Sequence, residues 1–110
     1  METSQSCSRI AELNDQFRKT GIGGKILVTQ GIQASWPDYT AIIGKVKAFD
    51  AFDDSNDPWK EHDFGKIEHE EQSVYWKISY YDKDVHYGSP DPADPSVTTR
   101  VMTIMLAEEY

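Results

Sequence analysis

The sequence predicts an α+β fold. It reads as one domain over residues 1–110, in which helix, strand and helix precede a three-stranded antiparallel meander, with the helices on one face of the sheet. Three observations predict it. The segment Ser73–Asp84 alternates strictly, with Val74, Trp76, Ile78 and Tyr80 on one side and Tyr75, Lys77, Ser79 and Tyr81 on the other, as a half-buried strand does. The N-terminal half instead carries apolar residues at three- and four-residue spacing, the period of a helix. A chain of 110 residues is long enough for one such domain and not two.

The first helix is expected over Ser4–Lys19 with a frayed start, so that disorder, where it occurs, is expected within residues 1–5. Ile10, Leu13 and Phe17 form its apolar stripe, and Ser6 or Ser8 can cap its start. Asp15 and Lys19 are spaced as an i,i+4 ion pair, Arg18 and Lys19 suit the negative end of the helix dipole, and Gly21, Gly23 and Gly24 stop the helix. Lys25–Gln30 follows as a short apolar run, read as a buried strand. The glycines before it do not make a phosphate loop, since GIGGK lacks the full motif and precedes the strand instead of following one.

Ser35-Trp36-Pro37-Asp38 reads as the start of a second helix running to about Phe52, with Tyr39, Ile42, Ile43, Val46 and Phe49 as its buried stripe. Gly44, in its middle, is expected to allow a close approach to the sheet. Residues 53–62 form a polar loop. Asp53, Ser55 and Asp57 resemble a calcium loop only until Pro58 and Phe64, which stand where that loop needs Gly and Glu, so the cluster reads as turn chemistry. Asp63–His69 is expected to be a bulged or edge strand, joined by a turn at residues 70–72 to the alternating strand as a hairpin. Pro90, Pro92 and Pro95 stiffen the next loop. Val97–Leu106 fits both periods, but its Thr, Val and Ile content favours a strand paired antiparallel with the alternating one.

The formal net charge of −8 argues against direct nucleic-acid binding and against docking on anionic membranes. It suits solubility, and it also suits a basic protein partner or mimicry of a nucleic-acid backbone. A single cysteine, Cys7, makes no internal disulfide, as expected of a cytoplasmic protein. No apolar run nears the ~20 residues of a membrane span, and no signal peptide is expected at the N-terminus. No nucleophile motif is present, no catalytic residue is assigned, and no cofactor is expected.

Two groups of residues stand out. If the alternating strand runs on, Asp82, Asp84 and His86 continue the Trp76 side, and His62 and Asp63 open the neighbouring strand beside them. Together they would form an acid/base or divalent-metal cluster, although solvated sheet ends carry the same residue types. Trp59, Tyr75, Tyr81 and Tyr87 are candidates for a contact surface, or for covering the second sheet face. Arg100 joins them as a partner for Asp82, Glu108 or a bound anion.

Several segments carry a resemblance. EHDFG at Glu61–Gly65, WKISYYD at Trp76–Asp82, and GSPDPADP followed by TTRVMTIMLAEEY resemble a bacterial family known as domain of unknown function 3768. RIAELNDQFRKTG and AFDAFDDSNDPW fit it more loosely. The resemblance implies small proteins of alphaproteobacteria, often borne on plasmids or other mobile elements, a setting of plasmid maintenance or defence avoidance. It implies no activity, ligand or catalytic residue. The −8 charge, the aromatic candidates and the absence of a nucleophile motif make the expectation a non-catalytic interaction module acting on a basic partner, as an inhibitor or nucleic-acid mimic. The alternatives are a small metal-dependent enzyme using the Asp/His cluster, and a homodimer formed through the edge of the last strand.

Overall fold

A computed structural model describes residues 2–110, with side chains from Ser8 onward. The expectations for residues 1–5, the Ser6 cap and Cys7 fall on positions whose side chains lie outside the described residues. The elements run α1 (Glu2–Thr20), β1 (Gly24–Val28), α2 (Gln30–Ser35), α3 (Thr40–Ala48), β2 (Phe64–His69), β3 (Gln72–Tyr81) and β4 (Thr99–Leu106), with a closing 3-10 turn at Ala107–Glu109.

The α+β class is as expected, but the sheet has four strands and is mixed, in the order β1-β4-β3-β2. The three C-terminal strands do pair antiparallel, from Phe64↔Lys77 on one side of β3 to Val74↔Leu106 on the other. The correction is β1, which lies parallel along β4, from Gly24↔Arg100 to Val28↔Ile104. Because β1 covers that edge, β4 sits inside the sheet and cannot offer the free edge that the homodimer reading required. β1 is itself an edge strand instead of a buried one: Lys25 and Leu27 are exposed, and only Ile26 and Val28 reach the core.

One face of the sheet holds the core. Val74, Trp76 and Ile78 are buried there, beside Met102, Ile104 and Leu106 of β4 and Ile67 of β2. Phe17, Ile32, Trp36, Ile42 and Val46 close over them from the helices, so the helices lie on one face. The β2–β3 hairpin turns on Glu70 and Glu71, both at positive φ (49° and 69°), the geometry that matches strand twist in a two-residue turn.

The single helix expected from Ser35 is two helices. Trp36 precedes a proline, which disfavours helical dihedrals, and it adopts φ −139° and ψ 91° at the end of α2. Thr29 caps α2 in place of Ser35; α3 starts after Tyr39, which makes no side-chain cap bond, and the Asp38 carboxylate just before it accepts from the Thr40 N–H at 3.2 Å. Gly44 makes no close approach to the sheet; it is exposed, and a side chain there would meet nothing.

α1 ends at Gly21, whose N–H returns to the Phe17 carbonyl at 2.7 Å. Its buried face carries polar residues as well as the expected stripe, because Asn14 and Arg18 are as buried as Phe17. Asp15 pairs with Arg18 at 3.0 Å instead of Lys19. Arg18 does not serve the end of its own helix. It donates to the Val46 and Lys47 carbonyls at 2.9 and 3.0 Å, satisfying the C-terminus of α3.

Candidate functional site

Between α3 and β2 the chain makes a built acidic loop. The Asp53 carboxylate accepts from the Ser55 hydroxyl and from the N–H groups of Ser55 and Asn56, which hold it below the usual carboxylate range. Asn56 reaches back to the Ala51 carbonyl at 2.9 Å, and Lys60 pairs with Asp54 at 2.6 Å. Asp57 is buried and accepts from the N–H groups of Glu61 and His62 at 2.9 and 3.1 Å. Turn chemistry is therefore what the Asp53–Asp57 cluster does. On this frame Trp59 is 75% exposed.

His62 anchors the far end of the loop. Its ring stacks on Phe52 at 4.0 Å, with Asp15 at 3.0 Å on Nδ1 and Asp57 at 3.6 Å on Nε2. Asp63 follows it. The Asp63 carbonyl accepts from the Ile78 N–H at 2.8 Å, and burial, then the neighbouring Glu61, pushes its carboxyl up.

The other half of the expected Asp/His cluster lies elsewhere. β3 stops at Tyr81, so Asp82, Asp84 and His86 do not continue the Trp76 face. The physical reason is a tight turn: the Val85 N–H bonds the Asp82 carbonyl, Val85 sits at φ 58°, and the Asp82 side chain accepts from the His86 N–H at 3.0 Å. Tyr81 then bridges Gly88. Among the described residues, no hydrogen bond or ion pair joins His62 or Asp63 to Asp82, Asp84 or His86, and no His/Cys/Asp/Glu group has the arrangement of a metal site.

The aromatic candidates also divide. Tyr87, like Trp59, is largely exposed. Tyr75 is half-buried on the sheet face away from the helices, packed against Phe64 and Tyr110, with ring centres 5.2 and 5.3 Å away. Tyr81, also half-buried, lines a shallow depression on that face with Leu27, Val85 and Val101.

Arg100 pairs with neither Asp82 nor Glu108. It is buried, its Nε donates to Asn14 at 2.6 Å and its Nη2 to the Pro92 carbonyl at 2.6 Å, and its guanidinium lies 5.2 Å from the centre of the Tyr80 ring. Asn14 completes the network by donating to Tyr80 Oη at 2.8 Å and to the Glu61 carbonyl at 2.9 Å. Burial pushes the Tyr80 phenol up, so it stays neutral and donates to Glu61 at 2.9 Å. Sequence reasoning missed Asn14 and Arg18. The available signal was their position, Asn14 one turn and Arg18 two turns along α1 from Ile10 of the apolar stripe.

Residues 28–109 match the model of a family described as protein of unknown function (DUF3768). No curated protein and no solved structure matches the chain.

Proposed function

We propose, for this chain, which belongs to the DUF3768 family of proteins of unknown function, a role as a non-catalytic binding module that docks a basic protein through the loop between α3 and β2. The observation that carries the reading is Trp59, 75% exposed on an ordered loop. Asp50, Asp53 and Asp54, all exposed, precede it in the chain, and the half-buried Glu61 and Asp63 follow it, with Lys60 the one lysine or arginine among residues 50–63. Tryptophan is the residue type most favoured as an interface anchor, and carboxylates around it steer a cationic surface into register. The hydrogen bonds of Asp53, Asn56 and Asp57 pre-order the loop, which lowers the entropy lost on docking. A surface spaced with carboxylates also suits a nucleic-acid-handling protein, whose phosphate-binding face it would occupy as an inhibitor.

The test is affinity capture from host-cell lysate by the full chain, by Trp59→Ala and by Asp53→Asn/Asp54→Asn. The wild type is expected to retain a basic protein that leaves as salt rises from about 0.1 M to about 0.5 M. Trp59→Ala should retain about tenfold less, with an unchanged melting temperature. Equal retention by Trp59→Ala, or retention indifferent to salt, would remove the reading.

A further inference from the structure

Beside Arg100 lies a pocket of about 540 Å³, between α1, the turn after it and the loops before β4. Its charged lining is unlike the rest of this acidic chain. Arg9, Lys83 and Arg100 all face it, and among the described residues no carboxylate lines it. Leu13, Phe17 and Ile22 make its apolar wall, and Ile22, at 79%, is the most exposed large apolar side chain among the described residues.

Arg100 is the built part of the site. It is 3% exposed, and Asn14 and the Pro92 carbonyl hold its Nε and Nη2. No hydrogen bond from its remaining nitrogen, Nη1, occurs among the described residues. A buried guanidinium in a rigid frame has lost most of its hydration and recovers interaction energy by meeting an oxyanion. The two other cations are exposed and only loosely committed. Arg9 pairs with Glu12 at 2.9 Å in an exposed i,i+3 bridge, and Lys83 is exposed, with Asp94 near enough to feel its charge.

From this placement we infer that the pocket binds a small organic oxyanion, a carboxylate or phosphate on a compact apolar body. The head group meets Arg100, Arg9 and Lys83 close the mouth over it, and the body packs on Leu13, Phe17 and Ile22. The volume is that of a small-molecule site, and its mixed lining, an apolar wall with a few convergent polar groups, is the usual composition of one. The site is separate from the Trp59 loop, so the inference does not depend on the docking reading.

Calorimetric titration of the full chain with phenyl phosphate, benzoate, benzamide and inorganic phosphate tests it. Phenyl phosphate or benzoate should bind, whichever is tighter naming the head group. Benzamide should not bind, and inorganic phosphate should bind about tenfold more weakly than the better aromatic anion. Arg9→Gln/Lys83→Gln, which changes exposed side chains only, should keep the wild-type melting temperature and lose about tenfold in affinity. Arg100→Lys should lose more, because the fork geometry goes. No binding of either aromatic anion would overturn the inference. So would equal affinity of the double variant, or inorganic phosphate binding as tightly as the aromatic anions.

Discussion

Trp76 fills the space that a side chain on Gly65 would need. A Cβ at Gly65 would lie 2.5 Å from Trp76 Nε1 and 2.9 Å from a ring carbon of Phe49. Gly65 and Trp76 are direct partners across the β2–β3 pair, and Trp76 is fully buried. No flexible side-chain end stands in the way to yield, only the two rings. Gly65→Ala is therefore expected to cost about 1–3 kcal/mol in urea unfolding. Adding Trp76→Phe should recover part of that loss, since the smaller ring vacates the Nε1 position. If Gly65→Ala unfolds at the wild-type midpoint, the close approach is wrong.

Gly44 is the opposite case. It lies inside α3, is exposed, and a Cβ there would meet nothing within 4 Å. Gly44→Ala should raise stability by about 1 kcal/mol, because the helix loses its most entropically costly residue without a clash. A loss of stability would mean that Gly44 has a contact the fold does not reveal.

What the sequence made legible follows from how local each signal is. The alternation of Val74, Trp76 and Ile78 is written in adjacent residues, and all three are buried. The hairpin is equally local, ending in the two-residue turn at Glu70 and Glu71. Proline at position 37 did carry the helix break, but the same residue also suits a helix start, and only the dihedrals of Trp36 decide between them. The parallel place of β1 was not legible, because Gly24 and Arg100 meet across 76 residues of chain, with no local pattern to mark it. The candidate Asp/His cluster rested on β3 running past Tyr81, whereas Asp82 turns the chain. Charged residues on helix surfaces ordinarily read as solvated, so Arg18 gave no sign that it would cap α3.

Asp63 makes stability depend on pH. Its carboxyl sits above its ordinary value of 3.8, first because of burial and then because of Glu61. The folded state thus holds its proton more tightly than the unfolded state. The stabilisation from the protonated form is complete below 3.8 and is lost as pH rises through the higher folded value. Asn cannot ionise, so Asp63→Asn should melt above wild type near about pH 7, with the gap closing toward about pH 3. A gap that is constant with pH, or reversed, would show that the Asp63 charge is not strained by its surroundings.

The Asn14–Arg100 contact is predicted to be the polar interaction whose loss costs the fold most. Asn14 is fully buried, and one amide serves three partners: it accepts from Arg100 Nε and donates to Tyr80 Oη and to the Glu61 carbonyl. Replacing it with leucine keeps much of the volume but strips all three partners at once, leaving a buried guanidinium with only the Pro92 carbonyl as a hydrogen-bond acceptor. Burial already pushes the Arg100 pKa down, so little further solvation can be lost without consequence. The expected cost of Asn14→Leu is about 2–4 kcal/mol. Asn14→Asp separates charge from shape. It keeps the acceptor for Arg100 and adds an opposite charge, but it loses the amide donors to Tyr80 and Glu61. It should therefore fall between wild type and leucine in chemical denaturation. Were the leucine variant as stable as wild type, the network would be a passenger of the fold, and the order of Asn14→Asp and Asn14→Leu would tell whether its value lies in the guanidinium or in the Tyr80 hydroxyl.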